Sequence, residues 1–475
     1  MLKLFNTLTR EIEEFKPIKD KEVGIYSCGP TIYNFAHIGN FRAYIVSDLL
    51  KRYLKYKGYK VKHIMNLTDV DDKTIRDSQK EHLPLKEFTD KYAKAFFEDI
   101  KTLNIEPADV FPRATDYIQE MVQLIKKLIE KGFAYKGEDG SIYYDISKFK
   151  DYGKLAHINL EELQSGASGR VKKDEYAKEQ AHDFALWKAW DKEDGDVFWE
   201  TDIGKGRPGW HIECSVMSTK NLGEIFDIHT GGVDLIFPHH QNEIAQSEAA
   251  TGKRFVNYWM HNEWLLVEGK KMSKSLGNFL TLRDLLAKGC SPKAIRYTLL
   301  STHYRQQQNF TFDEVKAAES TVGKLTNFMD CLKAFNGTED NKKVEELIFE
   351  AKRKFEESMD DDLDISKALA AIFELLKDIN ILMAASRMSR KDAEESYLLM
   401  SGFDKVLGVI SHKAVEENEI PEKVKVLMEE REFARARKNW GLADTIRNDI
   451  LKMGWQIVDT AEGPRAKKQT SSKIE

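Results

Sequence analysis

The stretch EVGIYSCGPTIYNFAHIGNFRAYIVSDLLKRYLKYKGYKVKHIMNL, residues 22–67, constrains the fold more than any other part of the chain. EVGIYSC is apolar enough for a buried strand and ends at the turn formers Gly29 and Pro30. GNFRAYIVSDLLKRYLKYKGY follows with helical spacing: Ile45, Leu49, Leu50 and Leu54 gather on one side, and Gly58 supplies a stop. VKHIMNL is a second strand. A strand, glycine turn, helix and strand in succession form a βαβ unit, which predicts a parallel sheet with its ligand at the strand ends.

The acidic TDVDDKTIRDS comes next and reads as a turn with a helix start capped by Asp71 or Asp72. It lacks the glycine and the closing glutamate that a calcium loop needs. Residues from about 110 to 200 look inserted: a helix near 115–131, a hairpin at FAYKGEDGSIYYD, then polar, lysine-rich sequence. EIFDIHTGGVDLIFPHHQNEIAQSEAATG returns to strand, glycine turn and helix, and NYWMHNEWLLVEGKKMSKSLGN gives a strand and a lysine loop. Beyond about 312 the pattern is long amphipathic helices, a bundle with no chemistry of its own. A last compact piece begins near 420, and KKQTSSKIE is a frayed tail.

The fold class expected is therefore α/β, a Rossmann-like parallel-sheet domain with an insertion, followed by a helical bundle and a small carboxy-terminal domain. The boundaries expected are 1–110 and 206–255 for the two halves of the sheet domain, with 111–205 inserted. Residues 256–311 carry the lysine loop, 312–415 the bundle and 416–475 the last domain. A length of 475 residues suits about three domains. No apolar run approaches the ~20 residues of a membrane span, and the amino terminus is too charged for a signal peptide. Cysteines at only 28, 214, 290 and 331 make no disulfide framework, so the reducing cytoplasm is the expected compartment. A net charge of −5 argues against a surface coated in basic residues but allows nucleic acid at local patches.

Two segments read as phosphate handlers. HIGN, 37–40, sits where the first strand's turn hands over to a helix, where backbone amides and the helix dipole favour anions. KMSKS, 271–275, is a cationic loop whose lysines suit a triphosphate with shifting charge. One opens the first crossover and the other follows the last strand, so both face one crevice. In this order they resemble the two signatures of class I aminoacyl-tRNA synthetases. CGPTIYNFAHIGNFR, NLTDVDDK, GWHIECSVMS and GGVDLIFPHHQNEIAQSEA together resemble the cysteinyl-tRNA synthetase family, and the likeness runs on through WGLADTIRNDILKMGWQIVDT.

That resemblance implies activation of L-cysteine by ATP with Mg²⁺, followed by transfer of the cysteinyl group to the 3′ end of tRNA(Cys). It implies one Zn²⁺ on Cys28, Cys214, His239 and Glu243. His239 and Glu243, four apart at a helix start, share a face. From the residues alone Cys28 reads equally well as a small buried hydrophobe, His239 as a cap and Glu243 as a solvent residue, and His240 rivals His239. Cys290 and Cys331 match no ligand position. Zinc would bind a substrate thiolate and reject serine, where a pocket discriminating by size gains only about 1–3 kcal/mol. By the same resemblance His37, Lys271 and Lys274 are catalytic and, with Asn40, Ser273 and Ser275, hold ATP. Asn40 stands where the commonest form of the signature has histidine. Gly29, Thr68, Trp210 and Asp234 would meet the substrate. Thr68 and Asp234 divide the amine and the ribose between them, in either order.

From Arg431 to Glu475 ten Lys/Arg face six Asp/Glu, and arginines lie beside tryptophans. Exposed tryptophan stacks a splayed base for ~1–3 kcal/mol, and the resemblance points to Arg437, Trp440, Asp444 and Arg447 as anticodon readers. Ala443, Ile446 and Ile450 would face inward. A tryptophan expected near Ala466 is missing. A monomer with no membrane partner is expected. The rivals are a cysteine ligase acting on an amino-sugar, which residues 420–460 speak against, and a zinc-stabilised RNA-binding protein, which leaves His37 and both lysines unexplained.

Overall fold

Strand Glu22–Ser27 lies inside a four-stranded, wholly parallel sheet, flanked by Lys60–Met65 on one side and Phe226–Gly232 on the other, with Val256–Asn262 outermost. In chain order the strands therefore run 4-3-1-2 across the sheet. The topology reverses between the first and third strands, and a crevice opens there at their carboxyl ends. The computed structural model describes residues 1–158, 183–272, 278–410, 422–436, 439–453, 455–460 and 463–468.

The expected crossover helix runs Ile38–Tyr56, with Ile45, Leu49, Leu50 and Leu54 all buried. Gly58 follows at φ +88°, a left-handed turn that glycine adopts without a Cβ clash. Asp71 caps the next helix, Asp72–Lys80, in a reciprocal box with Thr74. In the inserted region helix Ile118–Glu130 and the hairpin stand as expected. Strands Phe184–Ala189, Trp199–Thr201 and Gly204–Pro208 extend that hairpin into a five-stranded antiparallel sheet. Trp199–Thr201 is only three residues long and Gly204–Pro208 carries two glycines and a proline, so their pattern does not announce them.

Long helices Phe312–Ala334, Lys342–Asp360, Ile365–Ala384 and Arg390–Leu407 form the bundle. Their buried stripes, such as Val344, Ala351, Phe355 and Met359, join the core beneath the parallel sheet. The chain divides into two compact units, Met1–Ile410 and Ser411–Glu475. The second holds helices Glu422–Ala436 and Trp440–Lys452 and an antiparallel hairpin. Its core is Val424, Ile446, Ile450, Trp455 and Ile457. Ala443, Ile446 and Ile450 do face inward. Ala466 pairs with Ile457 across the hairpin. Among the described residues no helix is long and apolar enough to cross a membrane.

Candidate metal centre and active site

Cys28 follows the last residue of the first strand, and its N–H donates to Thr230 O of the third strand at 3.3 Å. It therefore sits at the topological switch. Next to it, Gly29 donates to Asn66 Oδ1 at 2.9 Å. A Cβ on Gly29 would come within 1.8 Å of Asn66 O, so this turn admits only glycine. Helix Trp210–Leu222 delivers Cys214, and the turn before helix Gln241–Thr251 delivers His239, with Glu243 one turn on.

These elements, far apart in sequence, bring ligand atoms of Cys28, Cys214, His239 and Glu243 within 4.8 Å of one another. A second, overlapping group at the same spacing is Cys28, His229, His240 and Glu243. Both share Cys28 and Glu243. His239 Nε2 lies 3.1 Å from Glu243 Oε1, and His240 Nε2 lies 3.2 Å from Cys28 Sγ. Geometry thus retains both histidines near the centre. The first group alone offers two sulfurs, the donor set zinc takes most readily.

Electrostatics at the centre suit a cation. Glu243 is completely buried, which should raise its pKa, yet His229 and His239 hold it down at about 2. Burial also raises Cys214, but hydrogen bonding from Cys28 and the neighbouring His239 bring it down to about 6. His239 is pushed up to about 10, against burial, by the sulfur of Cys214 and by Glu243. Burial pushes the Cys28 thiol up. Glu243 Oε1 is buried without a hydrogen-bond partner among the described residues, close to His239 but out of alignment. A buried carboxylate oxygen left over beside two sulfurs and an imidazole fits a metal ligand.

Trp210 stacks on His239 with centroids 4.1 Å apart, walling the centre. Thr68 is buried and donates to Glu213 Oε2 at 2.9 Å, while Asn66 Nδ2 donates to Thr68 at 3.2 Å. Asp234, in contrast, is exposed. The two expected substrate contacts therefore differ sharply in environment.

His37 caps the crossover helix: its Nδ1 accepts from Asn40 N–H at 3.2 Å, and Asn40 Oδ1 accepts from His37 N–H at 3.1 Å. Asn40, expected to bind nucleotide, has its side-chain oxygen engaged in this box. An accepting Nδ1 puts the proton of a neutral ring on Nε2, the tautomer able to donate to a phosphate oxygen. Ser273, Lys274 and Ser275 lie outside the described residues. The segments flanking them are tied to HIGN: Ile38 N–H donates to Leu280 O at 3.0 Å and the Phe279 ring sits 5.1 Å from His37. Lys271 is exposed, its ammonium 5.0 Å from the Trp264 ring. In the second unit Trp440 is 58% exposed, and Asp444 and Arg447 are exposed on the same helix; Arg437 lies outside the described residues. Cys290 is half-buried against the core, whereas Cys331 is exposed on its helix.

Sequence reasoning missed His211, His229 and His261. His211 Nδ1 lies 2.9 Å from His239 Nδ1, His229 Nε2 lies 3.0 Å from Glu243 Oε2, and His261 Nε2 lies 2.7 Å from His240 Nδ1. The signal was available: histidines inside the apolar strands FDIHT and YWMHN have no reason to be buried except a partner.

The family model for tRNA synthetases class I (C) catalytic domain matches residues 14–320, and that for the DALR domain matches 354–411, within the helical bundle. The cysteine–tRNA ligase of Brachyspira hyodysenteriae is 52% identical over 98% of this chain and 99% of its own length. That of Protochlamydia amoebophila is 51% identical, with 98% of both chains covered. This chain belongs to the cysteine–tRNA ligase family. Its members are class I synthetases, so the parallel sheet is their Rossmann-like catalytic fold. Fold likeness extends to Mycobacterium tuberculosis methionyl-tRNA synthetase solved with methionyl-adenylate. That structure has a TM-score of 0.60, 15% identity, and coverage of 82% of this chain and 90% of that one.

Proposed function

We propose that the chain joins L-cysteine to ATP as cysteinyl-adenylate, releasing pyrophosphate, and passes the cysteinyl group to the 3′ end of tRNA(Cys). The observation that carries the substrate choice is the convergence of Cys28, Cys214, His239 and Glu243 at the sheet's switch point. These four side chains would hold zinc, with Mg²⁺ accompanying ATP. A bound zinc ion supplies a Lewis acid that accepts a thiolate and holds a serine hydroxyl poorly. Trp210 closes one side of the pocket over so small a side chain. Thr68 gives its proton to Glu213 and therefore meets a ligand as an acceptor, which suits an ammonium; exposed Asp234 suits a ribose. His37, oriented by its cap, and Lys274, with Lys271 beside it, stabilise charge on the α-phosphate. The match over the whole length and the separate carboxy-terminal unit favour tRNA over an amino-sugar as acceptor.

Metal analysis and cysteine-dependent pyrophosphate exchange test this reading together. Wild-type protein should carry about one zinc per chain and lose exchange on chelation. Cys214→Ser should lose both. Unchanged metal content in that variant would refute the ligand set, and exchange that persists without metal would refute its role in selecting cysteine.

A further inference from the structure

We infer that Tyr26 is a positioning residue for the metal centre, its hydroxyl donating a hydrogen bond to the Cys214 sulfur when that sulfur is a metal-bound thiolate. The inference rests on the metal reading above. Three of the four ligand residues already have an outer partner. His240 Nε2 lies 3.2 Å from Cys28 Sγ, His211 Nδ1 lies 2.9 Å from His239 Nδ1, and His229 Nε2 lies 3.0 Å from Glu243 Oε2. For Cys214 the neighbouring group outside the ligand set is the Tyr26 hydroxyl. Tyr26, on the strand that ends just before Cys28, is fully buried, and its hydroxyl has no nitrogen or oxygen hydrogen-bond partner among the described residues.

The ring packs between two aromatic neighbours. It is held edge-on to His229 at 5.1 Å and against Phe226 at 6.3 Å. The hydroxyl lies among Cys214, Cys28 and Glu243, within hydrogen-bonding reach of the Cys214 sulfur. For packing alone phenylalanine would serve better, because a buried hydroxyl without a partner costs stability. A thiolate is the strong acceptor that repays it, and outer donors to metal ligands tune affinity by about 10–100-fold.

The test is Tyr26→Phe in the full chain, with Tyr53→Phe as control, since the Tyr53 hydroxyl bonds Asp360 at 2.7 Å instead. Zinc affinity is read by competition with a chelating dye, and the sulfur-to-metal charge-transfer band is read with Co²⁺ in place of zinc. Thermal unfolding is measured with and without metal. Tyr26→Phe should bind zinc about tenfold more weakly and shift the cobalt band, yet melt no lower than wild type when metal-free. The control should change neither metal readout. Unaltered affinity and band, or an equal loss of melting temperature with and without metal, would overturn the inference. Wild-type protein that takes up no zinc would overturn the metal reading and this inference with it.

Discussion

Two clusters of buried charge lie in the same unit of this protein, and they are finished to different degrees. Around Asp48 every group is paired. Its Oδ2 accepts from Arg52 at 2.8 Å and from Arg296 at 2.5 Å, and its Oδ1 accepts from Glu106 N–H at 2.9 Å. The guanidinium of Arg296 goes on to Leu407 O, Leu103 O and Asn104 O, and that of Arg52 to Asn104 O and Lys405 O. The crossover helix is thereby tied to helix Pro292–Leu300 and to the last helix of the bundle. At the candidate metal centre, by comparison, Tyr26 Oη, Glu213 Oε1, His229 Nδ1 and Glu243 Oε1 are buried without nitrogen or oxygen hydrogen-bond partners among the described residues. A saturated network fixes a fold, whereas an unsaturated one in the same protein marks where something else must bind.

The comparison breaks most readily at Asp48. Asp48→Ala strands two guanidiniums, one of them fully buried, and should cost about 3–5 kcal/mol in urea unfolding. Cys214→Ser, with metal absent from both proteins, should cost less than about 1.5 kcal/mol, because serine is close to cysteine in volume and keeps a group able to hydrogen-bond Cys28 and His239. Equal losses would mean that the metal centre is a structural clamp even without its ion, and the distinction between the clusters would fall.

What the sequence made legible follows the same division. The βαβ unit could be read because apolar periodicity and glycine turns are local signals, and the two phosphate segments because they are contiguous. The proposed metal set needed the family resemblance: Cys28 and Cys214 are 186 positions apart, and nothing local to either states that their strands and helices converge. His229 and His261 were passed over because a strand reading attends to Val, Ile and aromatic residues and takes an interior histidine as incidental. Asn40, expected beside His37 as a nucleotide ligand, also forms the capping box, an equally local pattern that accounts for its side-chain oxygen. The inserted sheet stayed hidden because its later strands pair across a long gap in the chain.

That cap gives an intermediate effect, since it is a finished interaction next to the reacting centre. Asn40→Ala leaves the His37 N–H without its acceptor and should cost about 1 kcal/mol of stability. The loosened imidazole should slow cysteine-dependent pyrophosphate exchange with zinc content unchanged. Asn40→Asp, which keeps the acceptor, should restore the stability. A loss of exchange with no change in stability would instead make Asn40 a direct nucleotide contact.

The smallest stability effect is expected at Trp440, which belongs to neither buried cluster. It is 58% exposed at the first turn of its helix, with the Arg435 guanidinium 6.0 Å from the ring centroid. A large exposed aromatic beside an arginine contributes little to its own domain and offers a face to an unpaired base. Trp440→Ala should therefore shift stability by no more than about 0.5 kcal/mol and leave pyrophosphate exchange unchanged. Charging of purified tRNA should fall through a raised KM for tRNA. If exchange and charging drop together, the tryptophan is packing after all, and the carboxy-terminal unit needs another surface to meet tRNA.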